Sequence, residues 1–283
     1  MNTTMTGSVF QTILQILAGG AGVYGILVAA IFLGQRTMMY PAGGSLGTPA
    51  EAGLADAREL TIETEDALRL VSWYLEPAPG RPVVVYFHGN AGTLADRAFK
   101  ARLFADAGYG VLLAEYRGYG GNPGKPTEEG LYADARANLA WLAAAGQGAE
   151  NTVIYGESLG TGVAVQAALE LARAGTPAAG LVLEAPFSSM AEAAQVHYPW
   201  LPAARLTRDR YDSQAKIAEV NAPLLIVHGS DDRVVPQAQG RRLFDRAVEA
   251  KRAEWIAGGG HANLYDFDAG RMVLSFLDST VSP

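Results

Sequence analysis

The chain has 283 residues, enough for one large α/β domain plus an appendage, and its 49% hydrophobic content is ample for a core. It has no cysteine, which excludes a disulfide scaffold, a thiol nucleophile and cysteine zinc sites. Its net charge of −7 and its lack of any basic run argue against nucleic-acid binding, because phosphate neutralisation needs clustered Lys and Arg.

Residues 9–34 read as a transmembrane anchor helix. Ile16 to Gly34 carries no charged side chain, and back to Val9 only Gln11, Thr12 and Gln15 interrupt the apolar run. About 20 such residues span the hydrocarbon layer. A cleaved signal peptide fits less well: no Lys or Arg precedes the run, the run is long, and no small-x-small cleavage site follows it. A buried helix of a soluble protein is the third reading. Ala18/Gly22 and Ala21/Gly25 are either a helix-packing face or merely small residues in an anchor. Arg36 follows the run with no basic residue before it, which tilts towards a cytoplasmic catalytic domain.

Residues 35–56, rich in Pro, Gly and Ala from Tyr40 to Gly53, read as a linker, and residues 57–283 as the main domain. Strands near Glu59–Thr64 and Leu68–Leu75 form an antiparallel opening hairpin. From Arg81 buried strands alternate with amphipathic helices. The strands are Val83–Phe87, Val111–Ala114, Thr152–Tyr155, Leu181–Leu183, Leu224–Val227 and Glu254–Ile256. A helix from Leu94 to Ala107 presents Ala95, Phe99 and Leu103. Another, capped by Thr127, presents Leu131, Ala135, Leu139 and Leu142. Gln237–Ala250 presents Leu243/Ala247 and Phe244/Val248, and the terminal helix Val273/Leu277 and Met272/Phe276. This alternation predicts a mostly parallel central sheet with helices on both faces, and a site beyond the carboxyl ends of the strands. The long break between Glu184 and Pro223 predicts a small cap insertion, approximately residues 187–220.

Between the strand at Thr152–Tyr155 and the helix from Val163 sits Gly156-Glu157-Ser158-Leu159-Gly160. A Gly-x-Ser-x-Gly turn from strand to helix lifts a serine oxygen clear of the sheet, so Ser158 is the candidate nucleophile. A serine hydroxyl needs a base, and the base an orienting carboxylate. Four histidines compete. His261 follows the last strand and Gly258-Gly259-Gly260, in a loop able to reach the serine, and is the expected base. His88 and His228 end strands before a glycine and read as structural, while His197 lies in the cap. Asp232, after the Leu224–Val227 strand, is the expected acid; Asp231 and Glu184 are its rivals. The expected oxyanion donors are the backbone N–H groups of Leu159 and Asn90, with Ala91 the rival of Asn90. Tyr198, Trp200 and Leu201 are candidate substrate contacts on the cap. Arg205, Arg208 and Arg210 read as a solvated helix face or as partners of anionic head groups. No metal or organic cofactor is implied.

The order Ser158, Asp232, His261 is that of the α/β-hydrolase triad. With Tyr86-Phe87-His88-Gly89-Asn90-Ala91-Gly92, Glu115-Tyr116-Arg117-Gly118-Tyr119-Gly120, the Gly156–Gly160 turn and Tyr211-Asp212-Ser213, the chain resembles the membrane-anchored BEM-like, or abhydrolase-domain, branch of the α/β-hydrolases. The resemblance runs from about Tyr40 to the C-terminus and implies a serine hydrolase of acyl esters or thioesters acting on a lipid or acylated substrate, with depalmitoylases among the relatives. Asn122 departs from the pattern, where relatives often carry Ser, and is expected to alter the loop near the site. The alternatives are a serine peptidase, which usually carries a large gating domain this chain has no room for, and a non-catalytic membrane-tethered binding protein, which loss of a triad residue would have favoured.

Overall fold

A computed structural model describes residues 3–248 and 250–281. Eight strands form one sheet: β1 (Arg58–Glu63), β2 (Arg69–Leu75), β3 (Val83–Phe87), β4 (Gly110–Ala114), β5 (Thr152–Glu157), β6 (Gly180–Glu184), β7 (Leu224–Gly229) and β8 (Lys251–Ile256). Their order is β1-β2-β4-β3-β5-β6-β7-β8. β1 and β2 pair antiparallel, as does β2 with β4, and all other pairs are parallel. β3, β4 and β6 are buried at every residue, the pattern of strands covered on both faces.

The helices divide between the two faces. Along β3, Val83, Val85 and Phe87 join one core with Leu131 of α3 (Glu128–Ala144), Val163 of α4 (Leu159–Arg173) and Leu243 of α8 (Gln237–Arg246). Val84 and Tyr86 join the other, with Phe104 of α2 (Ala98–Asp106) and Leu277 of α9 (Ala269–Thr280). This two-residue alternation is what a pleated strand requires. Thr127 caps α3 as expected, accepting from the Gly130 N–H.

Three expectations need correction. The Leu94–Ala107 segment opens as a 3₁₀ turn at Leu94–Arg97, and its buried stripe is Leu94, Ala98, Ala101 and Phe104; Phe99 of the predicted stripe is 58% exposed. Both stripes are helical in period, and the apolar content of this short segment does not choose between them. α8 stops at Arg246 rather than Ala250, because β8 begins at Lys251, so Val248 is exposed while Ala247 is buried. The predicted linker is neither separate from the helix nor loose. α1 runs without break over Thr3–Met39 and ends where Pro41 disfavours helix at Tyr40. Beyond it Tyr40, Leu46 and Leu54 are buried, and Gly43 bridges to Tyr119.

Val9–Met39 is long and apolar enough to cross a membrane. Between β6 and β7 lie the short helices α5 (Met190–His197), α6 (Ala203–Leu206) and α7 (Ser213–Lys216). This insertion lies along the C-terminal half of α1. Tyr24 Oη donates to Trp200 O at 3.0 Å, Gln35 Nε2 donates to Leu206 O at 3.2 Å, and the Arg36 guanidinium grips Asp209 with two bonds of 2.8 Å.

Candidate active site

β5 ends in the turn that carries Ser158. The serine has φ 50°, ψ −113°, in the positive-φ region that side chains rarely adopt, which is the strain this turn needs to expose Oγ. Its glycines are required by close backbone approach. A Cβ on Gly160 would overlap the carbonyl oxygen of Phe87, and one on Gly156 would lie 2.5 Å from Gly160 O.

His261 comes from the loop after β8. Its Nε2 lies 2.9 Å from Ser158 Oγ and its Nδ1 2.7 Å from Asp232 Oδ2. A carboxylate at Nδ1 keeps that nitrogen protonated and leaves Nε2 to accept from the serine. Asp232 Oδ1 accepts from the N–H groups of Val234 and Val235, each at 2.8 Å, so this carboxylate is held from both sides. Burial would raise its pKa, but hydrogen bonds from His228 and His261, the His261 charge and the Val235 N–H outweigh it and hold the carboxyl well below the usual range. His228 itself is buried. Its Nε2 donates to Val235 O at 2.8 Å and lies 3.4 Å from Asp232 Oδ2, which braces the Asp232 loop.

The rivals are occupied elsewhere. Asp231 accepts from Ser230 Oγ at 2.8 Å and serves its own turn. Glu184 lies in an ionic cluster that the sequence reading missed. Lys100 Nζ, on a largely buried side chain, sits 2.7 Å from Glu184 Oε2, 2.9 Å from Glu157 Oε2 and 3.0 Å from Tyr86 Oη. Arg97 Nη2 donates to Glu157 Oε1 at 2.6 Å, and Tyr155 Oη to Glu184 at 2.5 Å. Burial would raise the Glu157 carboxyl, but the Lys100 charge and the Arg97 contacts outweigh it and hold it low. Glu157 immediately precedes Ser158, so this cluster ties the turn to α2 and β6.

Asn90 and Leu159 line one cavity with Ser158. Leu159 opens α4, where helix geometry leaves its N–H without an intrahelical acceptor. A Cβ on Gly89 would sit 3.5 Å from Ser158 Cβ, so the His88–Gly92 loop passes directly beside the serine. The Glu115–Gly120 motif buttresses this loop. Glu115 meets His88 Nε2 at 2.6 Å and the Leu94 N–H at 2.9 Å; Tyr116 Oη donates to His88 O and Tyr119 Oη to Asn90 O. Ala91 is exposed, and its carbonyl accepts from Arg97. Asn122 does not shape the site: its side chain is bonded to the Val71 backbone of β2 and to Tyr116 O.

The cavity holds about 240 Å³. Tyr198 and Leu201 line it, as does His197, whose Nε2 meets Val234 O at 2.7 Å. Trp200, the third predicted contact, is not in the lining; its ring packs edge-on against Tyr24 of α1. Of the cap arginines, Arg208 lies over the Phe32 ring, Arg210 donates to Ala204 O, and Arg205 is exposed. Among the described residues no group of His, Asp and Glu has the arrangement of a metal site.

Several known proteins are similar to this chain. An uncharacterized protein of Mycobacterium tuberculosis, Rv2307c, is 41% identical over 268 residues, 93% of each chain. Human protein ABHD12B is 39% identical over 189 residues, 61% of this chain and 52% of that one. The zebrafish (Danio rerio) lysophosphatidylserine lipase ABHD12 is 30% identical over 240 residues, 73% of this chain and 63% of that one. Among solved structures, an α/β hydrolase from Vibrio vulnificus superposes with TM-score 0.70 at 22% identity, covering 87% of this chain and 90% of that one. The Pyrococcus furiosus esterase Pf2001 gives TM-score 0.68 at 18% identity, covering 85% and 96%. The family described as serine aminopeptidase S33 matches residues 78–213 and 202–268, and the chain belongs to it, within the α/β-hydrolase superfamily.

Proposed function

We propose that the protein is a membrane-anchored serine hydrolase that cleaves acyl esters or thioesters of lipid-like substrates. The observation that carries this reading is the hydrogen-bonded series Ser158–His261–Asp232 opening into an apolar cavity. In this reading Ser158 Oγ attacks the acyl carbonyl carbon while His261 Nε2 takes the hydroxyl proton. The carbonyl oxygen becomes an oxyanion held by the N–H groups of Leu159 and Asn90. Collapse of the tetrahedral intermediate expels the alcohol or thiol, which receives its proton from His261. Water, deprotonated by the same nitrogen, then releases the acyl group as a carboxylic acid and restores Ser158. Asp232, ionised throughout the working range, orients the imidazole and stabilises its cation.

The relatives named lysophosphatidylserine lipase support a single-chain lipid ester as the substrate, and the length and apolarity of α1 support a membrane location for the domain. The family description favours one second reading, an aminopeptidase. Such an enzyme must hold the substrate ammonium, and among the described residues lining the cavity there is no carboxylate. Hydrolysis of p-nitrophenyl acyl esters by the full chain in detergent, beside amino-acyl p-nitroanilides, tests both. The ester reading expects ester turnover that Ser158→Ala abolishes. Equal ester turnover by both proteins contradicts it, and Ser158-dependent cleavage of the anilides alone would transfer the assignment to the peptidase.

A further inference from the structure

One wall of the cavity over Ser158 belongs to no element of the hydrolase sheet. Ile31, Phe32, Gln35, Met38 and Met39 of α1 line it. Their spacing is i, i+1, i+4, i+7 and i+8, which is a single helix face. That face is held in register. The Arg208 N–H donates to Gln35 Oε1 at 2.8 Å, the bidentate Arg36–Asp209 pair follows one residue later, and Tyr40 and Tyr211 share a buried hydroxyl contact of 2.8 Å. Tyr211 in turn packs on α4 so closely that a Cβ on Gly162 would lie 2.8 Å from its Cβ. α1 is therefore locked, through the cap, to the helix that begins at the serine.

Resting on the serine-ester reading above, we propose that the last turns of α1 are a specificity wall. They contact the acyl chain of the substrate and set the chain length accepted. The occupant follows from three observations. The cavity contains the reactive Oγ, so whatever fills it is joined to the carbonyl under attack. The α1 wall offers thioether, aliphatic and aromatic carbon, and its one polar side chain, Gln35, is already bonded to Leu206 O and Arg208 N. The wall is the C-terminal end of the apolar run Val9–Met39, so an acyl chain drawn from the leaflet travels along a continuous apolar surface. Where that surface meets the cap, the exposed Trp200 packs edge-on against the exposed Tyr24, and Trp and Tyr are the side chains favoured at a membrane–water boundary.

The test is the kcat/KM profile of the full chain, reconstituted in phosphatidylcholine nanodiscs, for p-nitrophenyl esters from acetyl to palmitoyl. Met38→Trp fills the wall and is expected to lower the dodecanoyl-to-acetyl ratio by about tenfold or more, the scale set by one methylene that no longer fits an apolar pocket. Phe32→Ala opens the wall and is expected to move the preferred length upward. Leu33→Trp, on an exposed face of the same turn outside the cavity, is expected to keep the profile of the unaltered protein. Unchanged ratios in both Met38→Trp and Phe32→Ala, with turnover still dependent on Ser158, would overturn the wall and leave the hydrolase reading standing. Loss of Ser158 dependence at every chain length would remove both. Phe32→Ala decides the matter alone where the bulkier variant does not fold.

Discussion

The cavity over Ser158 has two halves built by different means. The sheet-borne half presents Ser158, Leu159 and Asn90 to the cavity, with His261 and Asp232 hydrogen-bonded behind the serine. Each sits within a few residues of a strand end, and backbone contacts do much of the positioning, as in the two N–H groups on Asp232 and the near-contact of Gly160 with Phe87 O. The other half is made by α1 and the cap, segments about 170 residues apart in sequence. It is held by side-chain pins, among them Tyr24, Gln35, Arg36 and Tyr40. The contrast separates duties. In the proposed mechanism a rigid sheet fixes the reacting atoms, where an error of one ångström is costly. Contacts between helices shape the volume beside them, where, on the proposed reading, variation changes which substrate fits.

The largest expected effect breaks the first half alone. Asp232→Asn should lower kcat by about 10⁴-fold, because an amide at Nδ1 favours the wrong tautomer of His261. Steady-state ester hydrolysis reads it, and a loss below tenfold would mean that another carboxylate orients the base. The buried cluster behind the turn is expected to act on stability. Lys100→Met leaves Glu157 and Glu184 without their shared cation and should cost about 3–5 kcal/mol in denaturant unfolding. Its pH dependence has a definite sign. In the unaltered protein the Glu157 pKa is depressed, so its stabilisation is complete above the ordinary carboxylate range and lost as pH falls through the depressed value. Without Lys100 the depression shrinks, so the acid limb of the Tm–pH curve, which still begins near the ordinary carboxylate range, should be shallower and end at higher pH.

A smaller effect addresses the second half. Arg36→Gln strips a charged partner from the buried Asp209 and should cost about 1–3 kcal/mol. Limited proteolysis of the cap should accelerate as its pin to α1 is lost; unchanged cleavage would show the pin to be dispensable. The smallest expected change is Asn122→Ser, which removes bonds to the β2 backbone worth about 1 kcal/mol. Because Asn122 faces β2 rather than the cavity, KM for a short ester should stay within about twofold, and a larger shift would return it to the site.

The same division explains what could be read from the residues alone. The eight strands, the turn at Ser158, and the meeting of His261 with Asp232 were legible because strand-end motifs put chemistry in a known place. The α1 wall was not, since a helix apolar all round offers no contrast between its faces. Phe99 and Leu94 both fit a helical period, and only packing on β4 selected the stripe with Leu94. Lys100 carries no signal in the sequence, because its partners Glu157 and Glu184 lie 57 and 84 residues away. Trp200 was chosen as an aromatic on the cap, where direction rather than residue type decides whether a ring enters the cavity.

In the proposed mechanism Ser158 is the nucleophile, activated by His261. Treatment of the full chain with a fluorophosphonate probe, followed by peptide mass spectrometry, tests it without a choice of substrate. One covalent adduct is expected, on Ser158, absent from Ser158→Ala and formed far more slowly in His261→Ala. An adduct on any other residue, or labelling of Ser158 at an unchanged rate in His261→Ala, would contradict it.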